Sequence, residues 1–333
     1  MAVKYAQTPL RKRSAHEIAD AAELGILFCL YERVSRATVH SILGEEPGIL
    51  LDVGDGASGY EEVGKIIAPP GSSSAEKKEK GDLVVSDVLR QFAFRASVFG
   101  HAYPFKFKNG ILELKGKIRS PHSLYIFLLI CSSLGAFKKN KGLLQAYAAL
   151  FEEVCVDAMR GFFNESAVVK RFGAGSRDRQ EHFGMAFSTA LKVLANDIRT
   201  TLVGTREHEA GKHGDGGLDV VGSTRFPESD AGDSTLVVFG QCATGEDWPS
   251  KIYESSATNW RRWLDFRHEP SNAIFIPRCY RDSNGEWHDS DGRGAIIVDR
   301  VRILHLTKNR PREEVITLLA DNRKFGLPIQ VAA

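Results

Sequence analysis

The chain has 333 residues, of which 43% are hydrophobic and 26% charged. That is the make-up of a globular protein of about two domains that buries its own core. Its 44 basic and 42 acidic residues leave a net charge of only +2, so no global basic field exists and any positive surface must be local. The five cysteines, Cys29, Cys131, Cys155, Cys242 and Cys279, are odd in number and scattered. They argue against a disulfide framework or a cysteine-rich zinc site and for a reducing, cytoplasmic setting.

The first residues lack the apolar core of a signal peptide. Ile18, Ala21, Leu24, Ile26, Leu27 and Leu30 recur at helical spacing and predict a helix over 14–37. Ser14, three residues before Glu17, starts it with a capping-box pattern. A Pro-, Gly- and Ser-rich stretch then runs into Glu76-Lys77-Lys78-Glu79-Lys80, which reads as a flexible loop near 68–82. Residues 84–98 are helical in pattern. Phe105 to Lys108 and Ile111 to Leu114 alternate around Asn109-Gly110, the signature of a hairpin. The most apolar run, 123–137, is shorter than the roughly 18–20 residues that span a bilayer, so it predicts a buried helix and no membrane contact. We read residues 1–165 as a mostly helical domain in which no residue pattern carries recognisable chemistry.

The texture changes in 166–333. The predicted order is a helix (177–197), two β-branched strands (218–221 and 235–239), a helix (248–266), two strands (273–276 and 295–298) and a last helix (312–321). This is the pattern of an α/β sandwich. Residues 259–268 interleave aromatics with cations, which reads as a core stripe of Trp260, Trp263 and Leu264 with solvated arginines or, alternatively, as a phosphate-contacting helix face. Arg300, Arg302, Lys308, Arg310 and Arg312 read as a solvated basic zone. Glu207-His208-Glu209 with His213 lacks the helical spacing of a zinc site and reads as a polar loop.

The informative segment is Gly214-Asp215-Gly216-Gly217-Leu218-Asp219-Val220-Val221-Gly222, followed by Val237-Val238-Phe239-Gly240-Gln241-Cys242-Ala243. A glycine-rich turn leads into a strand that carries Asp219 between apolar neighbours, where a carboxylate is costly. A divalent cation is one compensation, and oxygen donors suit Mg²⁺ or Mn²⁺. If the two strands pair, Asp219 and Gln241 come side by side, and the Cys242 carbonyl adds a third oxygen.

These residues resemble the PD-(D/E)xK restriction-endonuclease-like nucleases. The nearest pattern is the Mrr-type branch, with Asp-Gly-Gly-Ile-Asp on one strand and Gln-x-Lys on the next. The resemblance implies a restriction-endonuclease-like α/β core with a central mixed sheet behind the helical N-terminal domain. It makes Asp219 and Gln241 metal-binding and catalytic, and puts a further acid on the preceding helix: Glu181, or else Asp197. The chain departs from the pattern where the lysine belongs, at Ala243. Lys251 is the candidate for a displaced lysine, with Lys212 as the alternative. The implied activity is Mg²⁺- or Mn²⁺-dependent phosphodiester hydrolysis, on DNA or alternatively RNA. The implied setting is bacterial restriction or anti-phage defence, under control of a partner such as an ATPase or sensor subunit, and a homo-oligomer is compatible with it. Two competing readings are a catalytically inactive nuclease-fold subunit and a protein-binding adaptor built on the helical half.

Overall fold

The computed structural model describes residues 14–44, 74–137, 141–203, 214–226, 235–287 and 294–321. Ser14 opens the first helix, α1 (Ala15–Leu27). Its N–H donates to Glu17 Oε2 at 3.0 Å and its hydroxyl to the same oxygen at 3.2 Å, so the acid and the cap hold each other. The helix stops short of residue 37 because Cys29 takes a left-handed backbone (φ 58), which L-residues do not propagate as helix. A short strand β1 (Arg33–Val34) and helix α2 (Arg36–Gly44) follow.

Helix α3 (Ser74–Phe99) takes in the second half of the expected loop. Residues 68–73 lie outside the described residues. Lys, Glu and Ala are strong helix formers, and the apolar residues from Val85 onward anchor the helix in the core. The hairpin forms as expected from β2 (Phe105–Lys108) and β3 (Ile111–Leu114). Asn109 (φ 52) and Gly110 (φ 73) supply the two left-handed residues of a type I′ turn. β1 pairs with the far edge of β3, which gives the order β1-β3-β2. The apolar run becomes α4 (Ser120–Cys131), buried continuously from Ser123. Helix α5 (Lys141–Arg160) comes next.

The remaining elements are β4 (Val168–Arg171), α6 (Phe187–Asp197), β5 (Thr201–Leu202), β6 (Val220–Ser223), β7 (Val237–Cys242), α7 (Trp248–Lys251), α8 (Ala257–Trp260), β8 (Leu264–Asp265), β9 (Ser271–Phe275), β10 (Ile296–Val298), α9 (Arg300–Leu306) and α10 (Glu313–Ala320). Five of the strands form one mixed sheet, in the order β10-β9-β7-β6-β4. β4, β6 and β7 are antiparallel, and β7, β9 and β10 are parallel. Two glycines let α5 lie close on this sheet. A side chain at Gly240 would meet Met159 Cε at 2.7 Å, and one at Gly222 would meet Met159 Sδ at 2.9 Å. The other side of the sheet, with Val221, Val237 and Phe239, packs into a core with α6, Trp260 and Trp263.

The chain is therefore mixed α/β, helical at the N-terminus, with a sheet-containing core behind. Two expected helices are shorter than their sequence pattern. The one over 177–197 is a single π-helical turn (Arg179–Phe183) and then α6, divided at Gly184 (φ 89). The one over 248–266 is α7 and α8, and Ser256 caps the second by accepting the Asn259 N–H. Trp260, Trp263 and Leu264 are buried as a core stripe, and Arg262 stacks on Trp263 at 3.8 Å from the ring centroid. Arg300, in contrast, is fully buried and donates to the Pro277 carbonyl, so it does not belong to a solvated zone.

Contacts divide the chain into two units. One holds 1–147, 278–288 and 310–333, and the other 148–277 and 289–309. The division falls inside α5 rather than near 165, since Cys155 and Met159 of that helix lie against the sheet. Among the described residues no helix is long and apolar enough to cross a membrane.

Candidate metal centre

The site grows from the turn before β6. Gly214, Gly216 and Gly217 all have positive φ (74, 67 and 79). Side chains there would also collide: one at Gly216 with the Trp263 ring at 2.8 Å, one at Gly217 with Glu254 Cβ at 2.7 Å. Asp215 Oδ1 accepts the Gly217 N–H at 2.9 Å and fixes the turn. Arg179, fully buried, holds it from behind by donating to the carbonyls of Phe172 (3.0 Å), Gly184 (2.8 Å) and Gly214 (3.2 Å).

Asp219 follows directly. Its carbonyl accepts the Phe172 N–H at 2.7 Å, and its N–H donates to the Gly240 carbonyl at 3.0 Å. Val220 already faces Gly240 in the register of β6 and β7, so two residues oppose one, as in a β-bulge. The bulge interrupts the alternation that would have set Asp219 and Gln241 opposite each other. Asp219 Oδ2 accepts the Cys242 N–H at 2.7 Å. Cys242 thus meets Asp219 through its amide.

The second carboxylate is Glu152 on α5, which the sequence reading missed. A Cβ placed on Gly173 would lie 3.7 Å from both Asp219 Oδ1 and Glu152 Oε2, so the two acids converge on the space that Gly173 leaves open. Arg171 flanks them, 3.5 Å from Glu152 Oε2 and 2.8 Å from Glu153 Oε1. Burial pushes Asp219 up from 3.8 to about 8. Glu152 and Asp215 add to the rise, while the Cys242 N–H and the charge of Lys251 oppose it. Burial also raises Glu152, against the pull of Arg171 and with a push from Asp215.

The other candidates are placed as follows. Lys251 ends α7, half-buried, 3.9 Å from Asp247 Oδ2, and its charge acts on Asp219. Gln241 is 7% exposed, and its Oε1 is buried with no hydrogen-bond partner. By strand alternation its side chain leaves β7 on the side of Phe239. Ala243 is buried, its N–H bound to the Phe275 carbonyl at 2.9 Å. Glu181 is exposed and paired with Arg177 at 2.7 Å, and Asp197 is bonded to His182 at 2.6 Å. The structure therefore gathers Asp219, Glu152, Asp215, Cys242 and Lys251, and it directs Glu181 and Asp197 to other partners. Lys212 and the Glu207–His213 stretch lie outside the described residues.

Among the described residues no three His, Cys, Asp or Glu side chains already form a closed ligand set. Mg²⁺ does not require one, because it keeps several waters and is commonly held by one or two carboxylates. Two desolvated acids converging on one space fit such a cation. Compared with protein-family models, curated proteins and solved structures, the chain has no match.

Proposed function

We propose that the second unit is a Mg²⁺- or Mn²⁺-dependent nuclease that hydrolyses phosphodiester bonds, with Asp219 and Glu152 as its cation-binding carboxylates. The observation that carries this reading is the convergence of the two acids over Gly173, with Asp219 shifted to about 8. Two carboxylates so placed repel each other in a dry setting, and a divalent cation turns that repulsion into attraction. The resemblance of the Gly214–Cys242 segment to the PD-(D/E)xK nucleases supports the reaction class, as does a mixed central sheet with the site at the ends of β6 and β7.

A bound divalent cation would supply Lewis-acid polarisation of the phosphodiester. The chain's own residues do the rest. The Cys242 N–H fixes Asp219 Oδ2, which leaves Oδ1 directed at the shared space. Arg171 keeps Glu152 in place by pairing with it. Lys251, whose charge acts on Asp219, is the candidate for the lysine that Ala243 cannot provide. Its ammonium balances the negative charge that builds on the phosphate during in-line attack. Gln241 leaves β7 on the face away from α5, so its orphaned Oε1 is a secondary ligand candidate beside the two carboxylates. DNA is the proposed substrate. Restriction or phage defence under the control of a partner is the setting the resemblance implies.

The test is incubation of the purified full chain with plasmid, linear DNA and RNA, in Mg²⁺, Mn²⁺ or EDTA. Metal-dependent DNA cleavage is expected, and Asp219→Ala should abolish it. Ala243 favours one second reading, a nuclease fold that binds nucleic acid without cutting. Metal-dependent DNA binding with no cleavage in either metal would establish that reading instead.

A further inference from the structure

Residues 101–122 hold five lysines and arginines (Lys106, Lys108, Lys115, Lys117 and Arg119) and two histidines against a single acid, Glu113, in a chain whose whole net charge is +2. The fold gathers these charges. In the three-stranded sheet of the first unit, the register places Arg33 and Lys106 on either side of Glu113. Lys108, two residues beyond Lys106, shares their face. All three cations are exposed, while Phe105 and Leu112 turn the other way into the core. One carboxylate, 3.2 Å from Lys106, therefore faces three cations. Next along the chain, Lys115 donates to the Gly100 carbonyl at 3.2 Å. Arg119 gives its N–H to His122 Nδ1 at 3.2 Å. Burial lowers the His122 pKa, and the charges of Lys115, Arg119 and His101 all lower it further.

We infer that this basic face, from the β1-β3-β2 sheet to the start of α4, is a contact surface for the phosphate backbone of duplex DNA. Lys106 and Lys108 are about 6.7 Å apart along an extended strand, far enough for their ammoniums to meet neighbouring phosphates of one DNA strand, which the winding backbone separates by roughly twice the ~3.4 Å axial rise. Such contacts hold and orient a duplex without reading its sequence. The choice of DNA as the polyanion rests on the nuclease reading of the second unit. The charge pattern gives the first unit the sequence-independent half of recognition, for which the sequence alone had suggested no chemistry.

The test is binding of the full chain to a fluorescein-labelled mixed-sequence 30-bp duplex in EDTA across a salt series. A Lys108→Gln/Lys117→Gln/Arg119→Gln triple variant and the corresponding Glu triple are measured alongside. Each lost phosphate contact makes the slope of log Kobs against log salt about 0.9 less negative. The Gln triple should lose two to three such steps, and the Glu triple at least as much. Thermal melts identify any variant that fails to fold, and the milder Gln triple is the fallback. The inference is overturned by an unchanged slope in a folded triple variant, or by wild-type protein that ignores the duplex. It is also overturned by wild-type protein that prefers vesicles of phosphatidylcholine and phosphatidylserine to the duplex. Cleavage in Mg²⁺ is scored separately. Patch-dependent binding without cleavage removes the nuclease reading and keeps this surface. Cleavage with an unchanged slope does the reverse.

Discussion

In the first unit Asp20 and Glu23 are sealed in the core with Arg95, and every carboxylate oxygen has a partner. Arg95 Nη1 lies 2.8 Å from Asp20 Oδ1 and 2.9 Å from Glu23 Oε1. Ser132 donates to Asp20 Oδ2 at 2.8 Å, and Tyr103 and Tyr125 donate to Glu23 at 2.7 and 2.6 Å. Burial works against the charge on Arg95, but Glu23 and Asp20 outweigh it and hold the guanidinium protonated. In the second unit Asp219 and Glu152 are drawn from solvent toward each other, with Asp215 adding repulsion. The first group is resolved within the chain. The second keeps a repulsion that Arg171 and Lys251 only partly offset. Buried polar groups with complete partners specify a fold, whereas buried charges left in conflict mark places that bind or react.

The sharpest way to break this comparison is to remove one charge from each group. Asp219 ionises near 3.8 in the unfolded chain and near 8 in the folded one. Between those values the folded protein keeps a proton that the unfolded chain has lost. Metal-free stability therefore falls as pH rises from about 4 to 8, and levels off above. The full shift corresponds to a ceiling of about 6 kcal/mol. Asp219→Asn should be more stable than wild type in EDTA, by a margin that widens over that window, and saturating Mg²⁺ should narrow it. Urea melts at pH 5, 6.5 and 8 measure this. A wild-type curve that runs parallel to the variant's would show that Asp219 carries no such conflict.

Arg95→Ala should act in the opposite sense. It leaves Asp20 and Glu23 buried without their cation and should cost about 3–5 kcal/mol, read as a lower urea midpoint at unchanged slope. A loss under 1 kcal/mol would mean that the tyrosines and Ser132 satisfy the carboxylates unaided.

The two groups were unequally legible in the sequence. The hairpin could be read because Asn109-Gly110 is local turn chemistry, and the helix start because Ser14 and Glu17 are three residues apart. The turn at 214–217 could be read because its glycines are there for backbone reasons that no other residue meets. Glu152 shares its helix stripe with Cys155 and Met159, an acid at i, i+3 and i+7 along an apolar face, and that was its only local signal. Its meeting with Asp219 is made by packing of α5 on the sheet. The sequence pattern puts the acid on the helix nearest the hairpin, while the helix that reaches the site precedes β4. The stop at Cys29 was hidden because the left-handed residue that ends a helix, here closed by the Leu30 N–H on the Gly25 carbonyl, is usually glycine and not cysteine. The Arg95 network unites residues from α1, α3, α4 and the segment before β2, and no spacing rule links them.

Lys251→Ala sharpens the comparison on the catalytic side. Its charge favours ionised Asp219, but it sits half-exposed on a four-residue helix, so stability should change little. If Lys251 balances charge on the phosphate, kcat for DNA cleavage should fall about 10²–10³-fold with duplex affinity in EDTA nearly unchanged. Full activity in the variant would reassign that task.

The smallest expected effect concerns Gln241, which is kept as a ligand by one observation, its buried and unpartnered Oε1. An orphaned carbonyl costs about 1–3 kcal/mol. Leucine matches the shape of glutamine without the polar atoms, so Gln241→Leu should raise metal-free stability by that amount. If the oxygen is completed by a cation, the same substitution should weaken Mn²⁺ binding, measured by calorimetry, about tenfold or more. A gain in stability with unchanged Mn²⁺ affinity would leave Asp219 and Glu152 as the ligands and make Gln241 a strained neighbour on the Phe239 side. A loss of stability in EDTA would show that Oε1 is satisfied within the chain, and the contrast with the Asp20–Glu23 group would then rest on the two carboxylates alone.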